Sequence, residues 1–156
     1  MARAINGIGV SMREIGLIIF YGLTAFDDIK TKQVRMLEII VFGILGVFVN
    51  IVWPVKSFGS IICGILVGIV LYIFSIFSNE KIGKGDCFII MVSGLYLGFI
   101  DVLVLIWISS LLALIYGLIT IKRLKKDSNY EIPFVPFLLS GFLLMYAIHS
   151  FGSLIL

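Results

Sequence analysis

Charged residues are scarce in this sequence, and their scarcity excludes a water-soluble globular protein. Asp, Glu, Lys and Arg account for 13% of its 156 residues, whereas 61% are hydrophobic, and the mean hydropathy is +1.19. Soluble domains carry about 25% charged and about 45–50% apolar residues. A chain with so little polar surface is expected to lie in a lipid bilayer.

Side chains that support metal, redox or nucleic-acid chemistry are also few. The chain has two cysteines, Cys63 and Cys87, which form no C-x-x-C pair, and a single histidine, His149. A structural zinc site needs about four Cys or His ligands, so we expect no metal, and both cysteines are interpreted as small buried hydrophobic residues. Basic residues occur in short clusters rather than as a stripe, which argues against nucleic-acid binding.

Six apolar runs predict an all-α membrane protein, a polytopic bundle of about six transmembrane helices. The runs cover residues 10–26, 37–53, 58–78, 87–100, 102–121 and 134–156. Each span needs about 20 residues, so six spans nearly fill the chain, and residues 1–156 are expected to form a single domain. As one helix, residues 87–121 would be about 52 Å long, against a bilayer core of about 30 Å. We therefore expect two spans there, with the turn at Asp101, the only charge in the stretch.

The distribution of Lys and Arg predicts the orientation of the bundle. With six spans, the connections at 27–36, 79–86 and 122–133 share one side and contain nine basic residues, while the other side has three. Basic residues favour the cytoplasmic side, so we expect these connections in the cytoplasm and both termini outside, in the inner (cytoplasmic) membrane. The nine are Lys30, Lys32, Arg35, Lys81, Lys84, Lys122, Arg123, Lys125 and Lys126, and the three are Arg3, Arg13 and Lys56.

Three aspartates, Asp27, Asp28 and Asp86, stand at the predicted cytoplasmic ends of spans. Charges cost about 2.5–3.5 kcal/mol at a helix centre in the membrane and less at its edge. Acidic residues at helix ends are ordinary, and Asp86 would also favour the positive end of a helix dipole. However, Asp86 follows Gly85 directly, and Gly83 stands three positions before it. Glycine permits positive φ and close backbone approach, which a substrate docking beside this carboxylate would require.

Two glycine pairs at a spacing of four, Gly64 with Gly68 and Gly94 with Gly98, put small residues on one helix face. Such faces allow helix backbones to approach closely in membranes. We interpret both pairs as packing features and assign them no chemistry.

Three segments resemble the type IV prepilin peptidases and archaeal preflagellin peptidases, a family of GxGD aspartic proteases that also includes presenilin. Residues 83–88 (GKGDCF) resemble the second catalytic-aspartate motif of the family, and residues 28–34 (DIKTKQV) resemble the first. Residues 132–138 (IPFVPFL), with Gly141, are similar to a proline-phenylalanine signature that opens the last span. The order and spacing of the segments also fit the family.

The resemblance implies an aspartic endopeptidase that cleaves the leader peptide of prepilin-like precursors at the cytoplasmic membrane face. Asp28 and Asp86 would be the catalytic pair, one ionised to activate water and the other protonated; the sequence does not indicate which holds the proton. No cofactor is implied, and the expected partners are prepilin or pilin-like precursors and the lipid bilayer. The remaining motif residues, assigned to substrate binding or to the motifs themselves, are Gly83, Gly85, Pro133, Phe134, Pro136 and Phe137.

Details of the motifs refine these expectations. Asp28 is preferred over Asp27 because it stands six residues before Val34, the apolar position of the first motif, and adjacent helical residues point about 100° apart. Arg35-Met36 replaces the usual Pro-Asn of the family, which could alter the turn into the second span. The amino-terminal, cysteine-bearing segment of the bifunctional members has no counterpart, so the resemblance is to the short, peptidase-only form.

Other interpretations remain open from the sequence. The chain could be a small non-enzymatic carrier or assembly scaffold, with the aspartates serving ion coupling or helix capping, or a catalytically inactive member of the family. The proline-phenylalanine segment could be a rigid helix start, because proline is tolerated there, or a direct contact to substrate.

Overall fold

The computed structural model describes the backbone of residues 2–78, 82–124 and 132–155 and the side chains of residues 12–78, 82–120 and 132–148. Within these ranges the chain forms six α-helices and no strand, which confirms the all-α prediction. The helices are α1 (Ala2–Thr31), α2 (Met36–Val52), α3 (Phe58–Phe77), α4 (Lys84–Leu97), α5 (Phe99–Leu124) and α6 (Val135–Ile155).

Two of these helices are long and apolar enough to cross a membrane, judged by length and composition. They cover Phe58–Phe77 and Phe99–Thr120, and the segments Met36–Val52 and Val135–Ile148 are apolar but shorter. The six predicted spans go beyond this finding and stay a prediction. Of the residues counted for the orientation, Lys81, Lys125 and Lys126 lie outside the described residues, as do the side chains of Arg3, Lys122 and Arg123.

The turn between α4 and α5 lies at Gly98, so the predicted turn at Asp101 is wrong. Gly98 has a φ of 79°, in the left-handed region that glycine adopts without steric cost. Ser60 Oγ accepts a hydrogen bond from the N–H of Phe99, the first residue of α5, at 3.1 Å. Asp101 lies within the first turn of α5 and pairs with Lys56 Nζ at 2.7 Å. A helix break requires a change in backbone torsion, which Gly98 provides and a carboxylate does not.

Glycines bring the backbones of α3 and α4 into direct contact. A Cβ added to Gly64 would lie 2.7 Å from the carbonyl oxygen of Gly94, and one added to Gly68 would lie 2.7 Å from the backbone nitrogen of Met91. The Gly64/Gly68 face therefore packs closely against α4, as its spacing predicted, whereas Gly98 ends α4 and does not continue a helix face with Gly94. This contact fixes α4, which carries Asp86, against α3.

The core of the bundle surrounds α1. Phe20 and Tyr21 are fully buried, and their rings pack against Phe42 of α2 at 5.0 Å and Phe142 of α6 at 5.6 Å, respectively. The Tyr21 hydroxyl donates a hydrogen bond to Ser93 Oγ of α4 at 2.6 Å. Helices α2, α4 and α6 are thus held against one helix, and this arrangement determines where the motif residues meet.

A buried arginine joins α1 to the carboxyl-terminal ends of two other helices. The Arg13 guanidinium donates to the carbonyl oxygens of Tyr96 at 3.1 Å and Trp53 at 2.8 Å, and to Asn50 Oδ1 at 2.7 Å. The last carbonyls of a helix lack intrahelical partners, and cations favour that end of the dipole. Arg13 therefore fixes the ends of α2 and α4 at a point about 22 Å along α1 from Asp28.

Candidate active site

Asp28 lies in the last turn of α1 and is almost enclosed by the protein. Its side chain is 7% exposed, and its Oδ2 accepts a hydrogen bond from the backbone N–H of Val135, the first residue of α6, at 3.0 Å. Burial raises the pKa of this carboxyl, while hydrogen bonds from the Val135 and Phe134 backbones and the charge of Lys32 oppose that rise. Asp28 thus combines a buried position with donors that stabilise its ionised form.

Asp86 lies in the first turn of α4 and is partly exposed. Desolvation, followed by the negative charge of Asp28, raises its pKa to about 7 from an ordinary value of 3.8. Like Asp28, it stands just outside the predicted spans. The second cause places the charge of Asp28 close enough to act on the ionisation of Asp86.

Both aspartates line one cavity of about 660 Å³ at this end of the bundle. Its lining combines polar side chains, the two carboxylates and Lys32, with apolar ones that include Leu71, Ile90 and Ile106. The other lining residues are Ile82, Gly83, Ser110, Ile132, Pro133 and Phe134. The volume is in the range of sites that bind small molecules or short peptide segments, about 300–1,000 Å³.

The two glycines of the second motif allow close approach, and neither requires a left-handed backbone. Gly83 has a φ of −59°, and positive φ among the described residues occurs only at Lys32 and Gly98. A Cβ on Gly83 would lie 3.0 Å from Asp86 Oδ2, and one on Gly85 would lie 3.1 Å from Val34 Cγ2. Gly85 therefore packs the second motif directly against the apolar residue of the first.

Asp27 has a different environment from its neighbour. It is 5% exposed and is not among the residues that line the cavity. Its Oδ2 lies 2.8 Å from Arg35 Nε, and the Glu38 carboxyl of α2 is close enough to interact with it. Arg35 precedes α2 in an extended conformation, so it provides an ion pair across the α1–α2 connection.

Some residues of the proline-phenylalanine segment line the cavity, and others lie in α6 and pack against neighbouring helices. Pro133 and Phe134 line the cavity. Phe137 packs against Tyr116 of α5, with ring centroids 5.4 Å apart, and Pro136 lies in the first turn of α6. The catalytic and binding roles given to all the motif residues stay predictions.

The sequence did not reveal the apolar residues that line the cavity or the hydrogen bond from the Val135 N–H to Asp28. Leu71, Ile90 and Ile106 are ordinary residues of apolar helices, and nothing in the sequence separates them from lipid-facing neighbours. The hydrogen bond to Asp28 comes from the backbone, so no residue type indicates it. The flanking prolines were a usable signal, because they restrict which N–H groups at this helix start can donate.

No three Asp, Glu, His or Cys side chains gather at one point in the described residues, and we assign no metal ligands.

The chain matches the model of the type IV leader peptidase family over residues 15–118. It belongs to that family. The match includes Asp28 and Asp86 and ends before α6, so it does not cover the proline-phenylalanine segment. No curated protein and no solved structure matches the chain. Membership confirms the predicted family and supports a protease of the leader-peptidase type in a membrane.

Proposed function

We propose that this chain is a membrane aspartic endopeptidase that removes the leader peptide from prepilin-like precursors. The observation that carries the proposal is that Asp28 and Asp86, one from each motif, line a single cavity. Their unequal surroundings also support it, since hydrolysis by two carboxylates requires one ionised and one protonated group.

In the proposed reaction water is the nucleophile. The ionised carboxylate takes a proton from water as its oxygen attacks the scissile carbonyl carbon, and the protonated carboxyl donates toward the carbonyl oxygen. The resulting tetrahedral intermediate breaks its C–N bond as the first carboxyl passes the proton taken from water to the leaving nitrogen, and the second carboxyl recovers its proton from a hydroxyl of the intermediate as the new C=O forms. The products are a new carboxyl group on the leader and a new amino terminus on the mature subunit.

The proposed substrate has a short basic leader followed by a hydrophobic helix. The apolar lining residues Leu71, Ile90 and Ile106 would contact the hydrophobic helix of such a substrate. Apolar pockets with a few polar groups bind and orient their ligands in this way. Asp28 and Asp86 line the same cavity, where they would hydrolyse the peptide bond between leader and helix at the membrane edge.

Cleavage of a precursor by the purified protein tests this proposal. In detergent or liposomes, the chain should cut a prepilin-like precursor once, between leader and helix, as identified by the mass of the mature product. A matched precursor with its leader already removed should be left intact. If folded protein in liposomes releases no mature product, the proposed function is wrong.

We further propose that the cavity faces the cytoplasm, based on the nine-to-three distribution of basic residues. In a chain with Cys63 and Cys87 replaced by Ser, a single cysteine at Lys32 should be protected from an impermeant thiol reagent in whole cells. One at Lys56 should be labelled. The opposite labelling pattern would contradict the proposed orientation.

A further inference from the structure

The start of α6 is directed at one member of the aspartate pair. The Val135 N–H donates to Asp28 Oδ2 at 3.0 Å, and the Phe134 backbone also hydrogen-bonds this carboxylate. The first N–H groups of a helix have no intrahelical acceptor, and the helix dipole is positive at this end. Asp28 therefore accepts hydrogen bonds from N–H groups of α6 that have no acceptor within the helix.

The sequence of this helix start concentrates its donors on Asp28. Pro133 and Pro136 have no N–H, so the residues between them, Phe134 and Val135, supply the free backbone donors at this point of the chain. Val135 is fully buried, which shields its hydrogen bond from water. A carboxylate that accepts backbone N–H groups is stabilised in its ionised form.

Asp86 has no comparable support. Both causes that act on its pKa, desolvation and the negative charge of Asp28, raise it, and neither stabilises the ionised form. The charged groups facing Asp28 are Lys32 at the end of α1 and Asp86 of α4. Lys32 favours an anion at Asp28, while the Asp28 anion favours a proton on Asp86.

We propose that the amino-terminal turn of α6 assigns the two roles, holding Asp28 as the ionised general base and leaving the proton on Asp86 as the general acid. This inference rests on the proposed function and identifies Val135, through its backbone N–H, as a positioning residue. The elevated pKa of Asp86, about 7, agrees with this assignment.

Val135→Pro removes the donor with little other change. Val135 is the first helical residue of α6, a position where proline fits because its N–H is not needed within the helix. Val135→Ala is the matched control, because it shortens the buried side chain and keeps the N–H. Folded yield and the pH profile of kcat/KM should be measured for both variants.

We expect Val135→Pro to move the acid limb of the profile to higher pH by about one unit, because the base loses a hydrogen bond to its charged form. Val135→Ala should retain the wild-type limb. An unmoved acid limb in folded Val135→Pro, or movement of the alkaline limb alone, would overturn the assignment.

A measurement independent of catalysis separates this inference from the proposed function. The infrared carboxyl band of protonated side chains, recorded from about pH 6 downward, below the elevated pKa of the acid, should weaken in Asp86→Asn. In Asp28→Asn it should persist but disappear at a lower pH than in the wild type, because desolvation still raises the pKa of Asp86 while the Asp28 charge is gone. The reverse pattern would place the proton on Asp28 and refute the inference, even if the protein proves to cleave precursors. If the infrared bands follow the expected pattern but the protein cleaves no precursor, the proton assignment is correct and the proposed function is wrong.

Discussion

Two adjacent aspartates at the end of α1, Asp27 and Asp28, have different environments. Asp28 contacts the start of α6 and the cavity, whereas Asp27 pairs with Arg35 across the α1–α2 connection. Neighbouring positions on a helix point about 100° apart, so the two carboxylates cannot exchange roles without rotation of the helix. The ion pair with Asp27 also gives Arg35 a structural role between α1 and α2.

Replacement of Asp27 should therefore affect stability more than cleavage. We expect Asp27→Asn to keep most of the activity per folded molecule and to lose about 1 kcal/mol of stability, because Arg35 is largely exposed and its half of the ion pair is screened. Initial cleavage rates normalised to folded protein, with thermal unfolding in detergent, would check this. An inactive Asp27→Asn with an active Asp28→Asn would show that the catalytic assignment is displaced by one residue.

At the scale of helices, the sequence predicted most boundaries within a few residues and misjudged two, the start of α1 and the turn between α4 and α5. Apolar runs reflect burial in lipid or protein, so they revealed the helices. They did not reveal that α1 begins at Ala2, because the polar residues near its start do not interrupt the helix. The α4–α5 turn was assigned to Asp101 on the basis of charge, but a positive φ at Gly98 forms it. The contact between α6 and Asp28 could not be predicted, since a backbone N–H has no signature in the sequence.

The backbone contact between α3 and α4 predicts that a side chain at Gly94 destabilises the protein. A Cβ at Gly94 would lie 2.8 Å from the backbone nitrogen of Ile65, which cannot move aside as a side chain can. Gly94→Ala should cost about 2 kcal/mol or more, from overpacking. Gly22→Ala in α1 is the control, because its Cβ would meet nothing within 4 Å, and it should be neutral or slightly stabilising. Equal thermal stability of the two variants in detergent would contradict the close packing of α3 and α4.

For the molecule as a whole, α4 is fixed at both ends, at one end against the α1–α2 connection and at the other against α1. At one end Gly85 packs against Val34, next to the cavity. At the other, Arg13 binds the carbonyl of Tyr96. The distance between the aspartates therefore depends on the whole bundle, and the sequence motifs alone, which identify Asp28 and Asp86, do not define their geometry.

The elevated pKa of Asp86 predicts that stability of the protein depends on pH. Because the pKa is about 7 in the folded protein and 3.8 ordinarily, the folded state holds this proton more tightly than the unfolded state. The resulting stabilisation is fully present below the ordinary value and is lost as the pH rises through about 7. The thermal midpoint of the wild type should thus fall between about pH 5 and pH 8, and Asp86→Asn should fall less. Identical slopes for both proteins would contradict a raised pKa at Asp86.

The most direct test of the aspartate pair is precursor cleavage by Asp28→Asn, Asp86→Asn and the double variant, each reconstituted at equal folded amounts. Asn is nearly isosteric with Asp and cannot serve as base or acid, so each single variant should lose cleavage by about 10³-fold or more. The double variant should be no worse than either single one, because residues that act as a unit are not additive. Wild-type cleavage by Asp86→Asn would contradict the account.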